Sequence, residues 1–272
     1  MKNTVIFKFT NMEHNHGFGD LVRGLITIKQ IQKVLGFDLI VDTREFFIHK
    51  YLINTFPVID HTHYIIMRYG DANDHHEELT NVIRGNFELG HKFLSITTPA
   101  QPRINEIDDE IRDFMKKVFT FTPEFEEYFK EKCKGIPSDY NLYHYRLGDH
   151  LMNLKNEFKN SHFYVSHFQR YKKENSVLIS DSVDFKKMIR GSNSNVFTIE
   201  NNPIHSNSNI AIKNEINEQN YMDLLVDFFL IKNAKTIQCY SCYSWISNFV
   251  YWTSVIYDVP LTNLPSWYMI EL

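Results

Sequence analysis

The sequence has no run of about 20 apolar residues, the length a membrane-spanning helix requires. Its nearest approach, residues 243–257, YSWISNFVYWTSVIY, is shorter and is interrupted by Ser, Asn and Thr. The opening stretch MKNTVIFKFTNMEHNHGFGD has neither the apolar core nor the small-residue cleavage site of a signal peptide. A soluble cytoplasmic protein with no membrane span is the expectation. Cysteine is scarce: Cys133, Cys239 and Cys242 make three. So low and odd a count argues against a disulfide framework and fits a reducing compartment. Cys239 and Cys242 have C-x-x-C spacing, but a zinc site would need a second pair and none exists. A thioredoxin-like redox pair stays open. Long basic runs are missing too, and the net charge is −4 from 29 Lys+Arg against 33 Asp+Glu. A nucleic-acid partner is therefore not expected, although a local basic pocket for a phosphate is compatible with this balance. No internal repeat or low-complexity tract is found.

What is abundant is apolar and aromatic mass. The 272 residues are 43% hydrophobic and include 22 Phe and 15 Tyr, enough to exclude global disorder. The length suits two domains of about 130 residues each. Residues 4–10, TVIFKFT, are β-branched and aromatic and read as a strand. A Gly turn, NHGFGD, precedes a helical spacing of Leu21, Leu25, Ile26, Ile28, Ile31 and Val34 over 20–35, which Gly36 stops. FDLIVDT (37–43) is the next strand, so residues 4–43 form a β-turn-α-β unit at the start of a parallel sheet. Further on, HYIIMRY and KFLSITT look like strands, and 104–134 looks like one long charged helix ending at Lys134-Gly135-Ile136-Pro137. That Gly and Pro mark a boundary between domains 1–135 and 136–272.

The second half restarts the alternation. YNLYHYRL, SVLISDS (176–182), NVFTI (195–199) and KTIQCYS read as strands. DFKKMI, 216–233 and 243–257 read as helices, and the polar, Asn-rich 200–214 as a loop. Strands and helices at this spacing imply βαβ units. The fold class expected is α/β, with two Rossmann-like domains facing a central cleft, and ligands at the carboxyl ends of the strands.

Each polar cluster falls at such a strand end. Gly17 and Gly19 in GFGD let a backbone approach a ligand, and the helix from Asp20 offers free N–H groups to a phosphate or a sugar hydroxyl. An ordinary strand-to-helix turn explains the same residues. It is not a G-x-G-x-x-G fingerprint, because Arg23-Gly24 follows at the wrong offset. In HYRLGD (144–149), His144 and Arg146 share one face of a strand. An Arg there can fork onto a diphosphate and neutralise charge growing on a leaving group. A structural pair between Arg146 and Asp149 is the alternative. Ser180 and Asp181 follow VLIS, where a ligand-facing loop should lie, but Asp181 or Ser182 would also cap the next helix. YSCYSW (240–245) puts Ser241, Cys242, Tyr243 and Ser244 at a strand-to-helix junction, where hydroxyls and backbone N–H groups can grip phosphate oxygens or merely cap.

The order of these motifs resembles the fucosyltransferase superfamily, the α1,2-, α1,6- and protein O-fucosyltransferases. In the α1,2 type they read G-L-G-N-Q, H-I-R-R-G-D-Y, F-S-D-D and N-S-S-F-S-W-W. The resemblance spans about residues 4–46 and 139–257, and H-x-R-x-G-D followed by S-x-Y-S-W is its most specific part. It implies a GT-B fold and an inverting, metal-independent glycosyltransferase that needs no cofactor. The donor would be a nucleotide sugar, GDP-fucose first, and the acceptor a glycan. Carried over by motif, Arg146 would contact the β-phosphate and assist departure of GDP. His144, Ser241, Cys242 and Ser244 would line the nucleotide site. Asp227 would read guanine, whose N1–H and N2 amine suit one carboxylate. Gly17, Gly19, Asp20 and Arg23 would sit opposite, in the N-terminal domain, as further donor nucleotide-binding residues, and His16 stands where some relatives place a catalytic Glu. The second Arg of the α1,2 motif is Leu147 here, and Asp20-Leu21 replaces its N-Q. These departures leave room for another donor, such as UDP-xylose or a GDP- or UDP-linked rhamnose or mannose, and for a non-catalytic nucleotide- or glycan-binding protein.

Overall fold

The computed structural model describes residues 2–9, 17–53, 75–147, 161–192, 195–200, 218–243 and 245–265. Two compact units divide the chain, Met1–Phe125 and Glu126–Leu272. The division falls inside a helix, ten residues before the Gly135 turn that the sequence marks as the boundary. Phe125 buries its ring against Tyr51 and Phe121 of the first unit. Tyr128, Phe129 and Cys133 pack on a core of the second.

In the first unit, β1 (Thr4–Lys8) is followed by α1 (Phe18–Leu35) and β2 (Asp38–Asp42). A 3₁₀ turn (Phe47–Tyr51), α2 (His75–Glu88), β3 (Phe93–Ile96) and α3 (Asp109–Val118) complete it. The sheet order is β2-β1-β3, all parallel, with Thr4 opposite both Asp38 and Phe93. The expected β-turn-α-β unit is present. Gly36 closes α1 at φ 73°, a left-handed value suited to glycine, and donates its N–H to the Gln32 carbonyl at 2.8 Å. Gly24 has a different use. A Cβ there would lie 1.7 Å from the Thr98 carbonyl oxygen, so α1 approaches the segment after β3 as closely as only a glycine allows. Buried polar groups of α1 hold that same segment. Thr27 donates to the Ala100 carbonyl at 2.7 Å, and Gln30 exchanges two hydrogen bonds with the Arg103 backbone at 2.7 and 2.9 Å. An aromatic cluster of Phe9, Phe18, Phe46 and Phe119 closes the carboxyl side of β1.

The stretch 104–134 is two main helices, not one. Asp108 caps α3 by accepting the Ile111 N–H at 3.1 Å. The chain then breaks at Phe119–Thr122, where Phe121 bridges to Leu52, and restarts at Pro123, the first residue of α4 (Pro123–Lys132). Helix α2 was not anticipated from the sequence. The strand expected at HYIIMRY lies outside the described residues.

The second unit continues with β4 (Asn141–Arg146), α5 (Ser161–Tyr171), β5 (Ser176–Ser180), α6 (Val183–Ser192) and β6 (Val196–Thr198). It ends with α7 (Glu218–Lys232), β7 (Thr236–Ser241), α8 (Asn248–Tyr257) and β8 (Leu261–Asn263). The sheet order is β6-β5-β4-β7-β8, again all parallel. Strand β8 was not foreseen. Side-chain alternation along β4 feeds two cores. Leu142 joins Val177, Val226, Leu230 and Val250 on the α7 and α8 side. Tyr143 and Tyr145 join Phe168, Phe185 and Ile189 on the α5 and α6 side. The last helix begins at Asn248, not Tyr243. Cys242 donates its N–H to the Arg146 carbonyl at 3.1 Å and Tyr243 donates its N–H to Ser241 Oγ at 3.2 Å, so the chain bends after β7 before the helix starts.

Candidate functional site

Strand addition in the second unit runs outward from β4 in one direction to β5 and β6, then jumps to the other side at β7. The crevice between β4 and β7 is thus a topological switch point, where open parallel sheets bind ligands at the carboxyl ends of the strands. Arg146 and Ser241 are register partners on the last rung there. The guanidinium carbon of Arg146 lies 4.8 Å from the centroid of the Tyr243 ring. Tyr243 in turn stacks on Trp245 at 5.0 Å and 22°. The indole of Trp245 is 56% exposed, unlike most large apolar side chains here. A guanidinium held over an aromatic ring is restricted in orientation, and its planar fork of N–H donors suits a phosphate.

Two residues back on the same face, His144 is buried with its Nδ1 3.6 Å from Cys239 Sγ. Burial, and secondarily the Arg146 charge, push its pKa down to about 3, so His144 is neutral at physiological pH. It lies behind Arg146 as a polar, uncharged support. Burial raises the Cys239 thiol to about 12, against the weaker pull of the Ser247 backbone and Arg146. Cys242 packs on the other core, with Tyr143 and Tyr145, so the C-x-x-C residues face opposite sides of the sheet, and none of the three cysteines forms a disulfide.

The loop after β5 resolves the SDS motif residue by residue. Ser180 is buried and donates to the Tyr145 carbonyl at 2.7 Å. Asp181 accepts the Leu147 N–H at 2.7 Å, tying the turn after β4 to the turn after β5. Ser182 is the helix cap, accepting the Phe185 N–H at 3.2 Å. Asp181 thus shapes the edge of the crevice from its neighbouring strand. His16, Asp149 and Ser244 lie outside the described residues.

Asp227 sits on α7, 4% exposed, among Leu225, Val226 and Phe228. One helical turn nearer the start of α7, Asp223 lines a cavity of about 360 Å³ together with Lys186 of α6 and Ile199 after β6. Burial lowers the pKa of Lys186, while the charges of Asp227, Asp223 and Asp181 favour its protonated form. Sequence reasoning passed over Lys186 and Asp223. The Asp223/Asp227 spacing of one helical turn was a readable signal, whereas Lys186 looked like an ordinary charge in DFKKMI.

In the first unit, Gly17 precedes α1 and donates its N–H to the Asp20 carboxylate at 3.1 Å. Asp20 also pairs with Arg23 at 3.3 Å, and Arg23 donates to Gln101 at 3.2 Å. Gly19 is buried in the first turn. Asp20 therefore works as a helix-start carboxylate, and Arg23 anchors α1 to the segment after β3. Among the described residues, no cluster of three His, Cys, Asp or Glu is arranged to hold a metal, and no helix is long and apolar enough to cross a membrane.

No family model and no curated protein matches the sequence. Solved structures do match. The NodZ α-1,6-fucosyltransferase, known from Bradyrhizobium, in a crystal soaked with GDP-fucose aligns at a TM-score of 0.56 and 12% identity, over 96% of this chain and 94% of that one. FUT1 of Arabidopsis thaliana with GDP aligns at 0.60 and 10% identity, over 98% and 71%. POFUT1 with GDP aligns at 0.51 and 9% identity, over 97% and 99%. The chain has the fold of these fucosyltransferases. Within that fucosyltransferase fold, Arg146 stands at the switch point of the second unit's sheet.

Proposed function

We propose that the chain is a glycosyltransferase that moves a sugar from a nucleotide diphosphate onto a glycan hydroxyl, with inversion and without a metal. GDP-fucose is the first choice of donor, in keeping with the motif order and with the GDP and GDP-fucose in the crystals of its structural neighbours. A UDP-sugar, or GDP-linked rhamnose or mannose, is the second. The unit Glu126–Leu272 binds the donor, and Met1–Phe125 supplies the acceptor side.

The observation that carries this reading is Arg146, over the Tyr243 ring at the carboxyl end of β4. In the reaction, the acceptor hydroxyl oxygen attacks the anomeric carbon from the face opposite the leaving group. The bond from that carbon to the β-phosphate oxygen breaks, and its electron pair stays on the oxygen. Charge grows on the β-phosphate as GDP departs, and the Arg146 fork neutralises it. The hydroxyl proton passes to a general base, for which His16 is our candidate. Ser241, Cys242, Tyr243, Ser244 and Asp149 are donor-binding residues in this reading, and Asp181 holds the Leu147 N–H of the turn after β4.

The test is a thermal-shift and transfer panel with GDP, UDP, CDP and ADP and their sugar conjugates, without and with Mg²⁺. A ligand at 100 times its Kd stabilises by about 2.7 kcal/mol, which is readily measured. Stabilisation by GDP and turnover of GDP-fucose support the reading. Stabilisation by UDP alone moves the donor. No response to any nucleotide overturns it.

A further inference from the structure

Beyond β7 the chain leaves the sheet. Ser241 ends the strand and Asn248 begins α8. Between them Cys242 packs on the core beside Tyr143 and Tyr145, whereas Tyr243 and Trp245 stack on one another at 5.0 Å and 22°. Trp245 is 56% exposed. Among the described residues the other exposed large apolar side chains, Val34, Ile53, Leu89 and Ile104, are aliphatic and belong to the first unit. A lone exposed apolar residue calls for no explanation by itself. The position of this one does. The ring it stacks on is the ring beside Arg146, whose guanidinium carbon lies 4.8 Å from the Tyr243 centroid.

Guanidinium, phenol ring and indole thus form a chain of contacts at the carboxyl end of β4. The Tyr243 N–H bonds to Ser241 Oγ at 3.2 Å, which fixes the main chain there but not the side-chain torsions that turn the ring. The indole restrains them. A near-parallel aromatic pair favours its stacked conformer by about 2- to 12-fold. The motif also carries one Arg only, since the next residue, Leu147, is fully buried in the core. The orientation of that one guanidinium therefore governs how charge is presented to a diphosphate. We propose that Trp245 is a positioning residue: it holds the Tyr243 ring in the orientation that aims the Arg146 fork, and it acts through Arg146 and not on the ligand. This rests on the reading of Arg146 as the diphosphate contact.

Calorimetric titration of the full chain with pyrophosphate, GDP and UDP, in a double-mutant cycle on Trp245 and Arg146, tests it. Trp245→Ala should weaken pyrophosphate binding by about 3- to 10-fold, and Trp245→Phe, which keeps a ring to stack, should retain most of the affinity. In an Arg146→Ala background, Trp245→Ala should cost nothing further. An equal loss in that background would overturn the inference, because the indole would then act on the ligand or on the fold. Unchanged affinity in Trp245→Ala would overturn it too, and leave the diphosphate reading intact. If Trp245→Ala fails to fold, Trp245→Leu removes the ring while keeping apolar bulk, and the same outcomes apply. A second readout needs no ligand and decides the matter where Arg146→Ala binds too weakly to titrate. The Arg146 Nε–H proton resonance, displaced by the Tyr243 ring current, should return toward its ordinary position in Trp245→Ala and stay displaced in Trp245→Phe. A resonance that does not move in Trp245→Ala sinks the inference. A wild-type chain that binds none of the three ligands would overturn the diphosphate reading and this inference with it.

Discussion

Arg146 and Ser241 face each other on the last rung between β4 and β7, and one residue further on, the Cys242 N–H still reaches the Arg146 carbonyl at 3.1 Å. The two strands are thus pinned to their very ends, just where the sheet changes its direction of growth. A crevice at that point is bounded on its β7 side by main-chain hydrogen bonds. The guanidinium that occupies it is oriented by an aromatic face. Position comes from the sheet, orientation from Tyr243, and charge from Arg146 alone, since His144 behind it is neutral.

Removing that charge separates catalysis from folding. Arg146→Ala should lower sugar transfer by about 100-fold or more, because a preorganised contact to the leaving group disappears. Arg146→Lys should recover only part of the loss, since an ammonium keeps the charge but not the planar fork. Donor turnover in both variants, read beside their melting curves, checks this. Near-normal transfer by the alanine variant would reduce Arg146 to a surface stacking partner of Tyr243.

Two glycines of α1 should respond differently to the same methyl group. Gly24→Ala drives a Cβ to 1.7 Å from a carbonyl oxygen, so α1 and the Thr98 segment must separate. We expect a cost at or above the upper end of the usual overpacking range of about 1–3 kcal/mol. Gly36→Ala meets no neighbour within 4 Å and loses only the ease of a left-handed φ, about 1–2 kcal/mol. Urea unfolding of the two variants, compared by midpoint at equal slope, decides the order.

The alternation of strands and helices was legible because buried parallel strands are apolar runs bounded by turn residues. β1, β2, β4, β5 and β7 all fall where the sequence places them. Pattern alone could not show that 104–134 breaks at Phe119–Thr122, because the break depends on a bridge to Leu52, far away in sequence. Nor could it show that the last helix starts only at Asn248, since the chain after β7 is held by the Cys242 N–H on the Arg146 carbonyl and by the bend at Ser241. Gly24 was dismissed for its offset from a known fingerprint, yet its structural use, close approach of helix to backbone, needs no particular offset. Lys186 was hidden for a related reason: the burial of a lysine is a property of the neighbours that tertiary packing brings to it.

The SDS turn should divide into a stability effect and a binding effect. Ser182→Ala removes the cap of α6 and should cost about 1 kcal/mol with little change in nucleotide affinity. Asp181→Ala frees the Leu147 N–H and loosens the turn that follows Arg146, so nucleotide affinity should fall in addition to stability. Asp181→Asn keeps an acceptor for that N–H and should restore much of the affinity. Equal affinity in all three variants would show that the turn after β4 is held by other contacts.

Acid should destabilise the fold through His144 before most carboxylates titrate. In the folded chain burial holds its pKa near about 3, whereas in the unfolded chain it returns to the ordinary 6.5. Between those values the unfolded state binds the extra proton, so stability is fully present above about pH 6.5 and is lost progressively as the pH falls toward 3. Burial also lowers His167, and this acts with the same sign. Replacing His144 with Gln, which does not titrate, should therefore flatten the fall in melting temperature between pH 7.5 and pH 5 relative to the wild type. Histidine ring resonances followed by NMR check the cause directly, because the His144 signal should stay at its neutral position down to pH 5. A midpoint near 6.5 in the folded chain would mean that water reaches the ring. His144 would then add a second, pH-dependent positive charge behind Arg146, and nucleotide binding would tighten on acidification instead of being indifferent to His144 between pH 5 and 8.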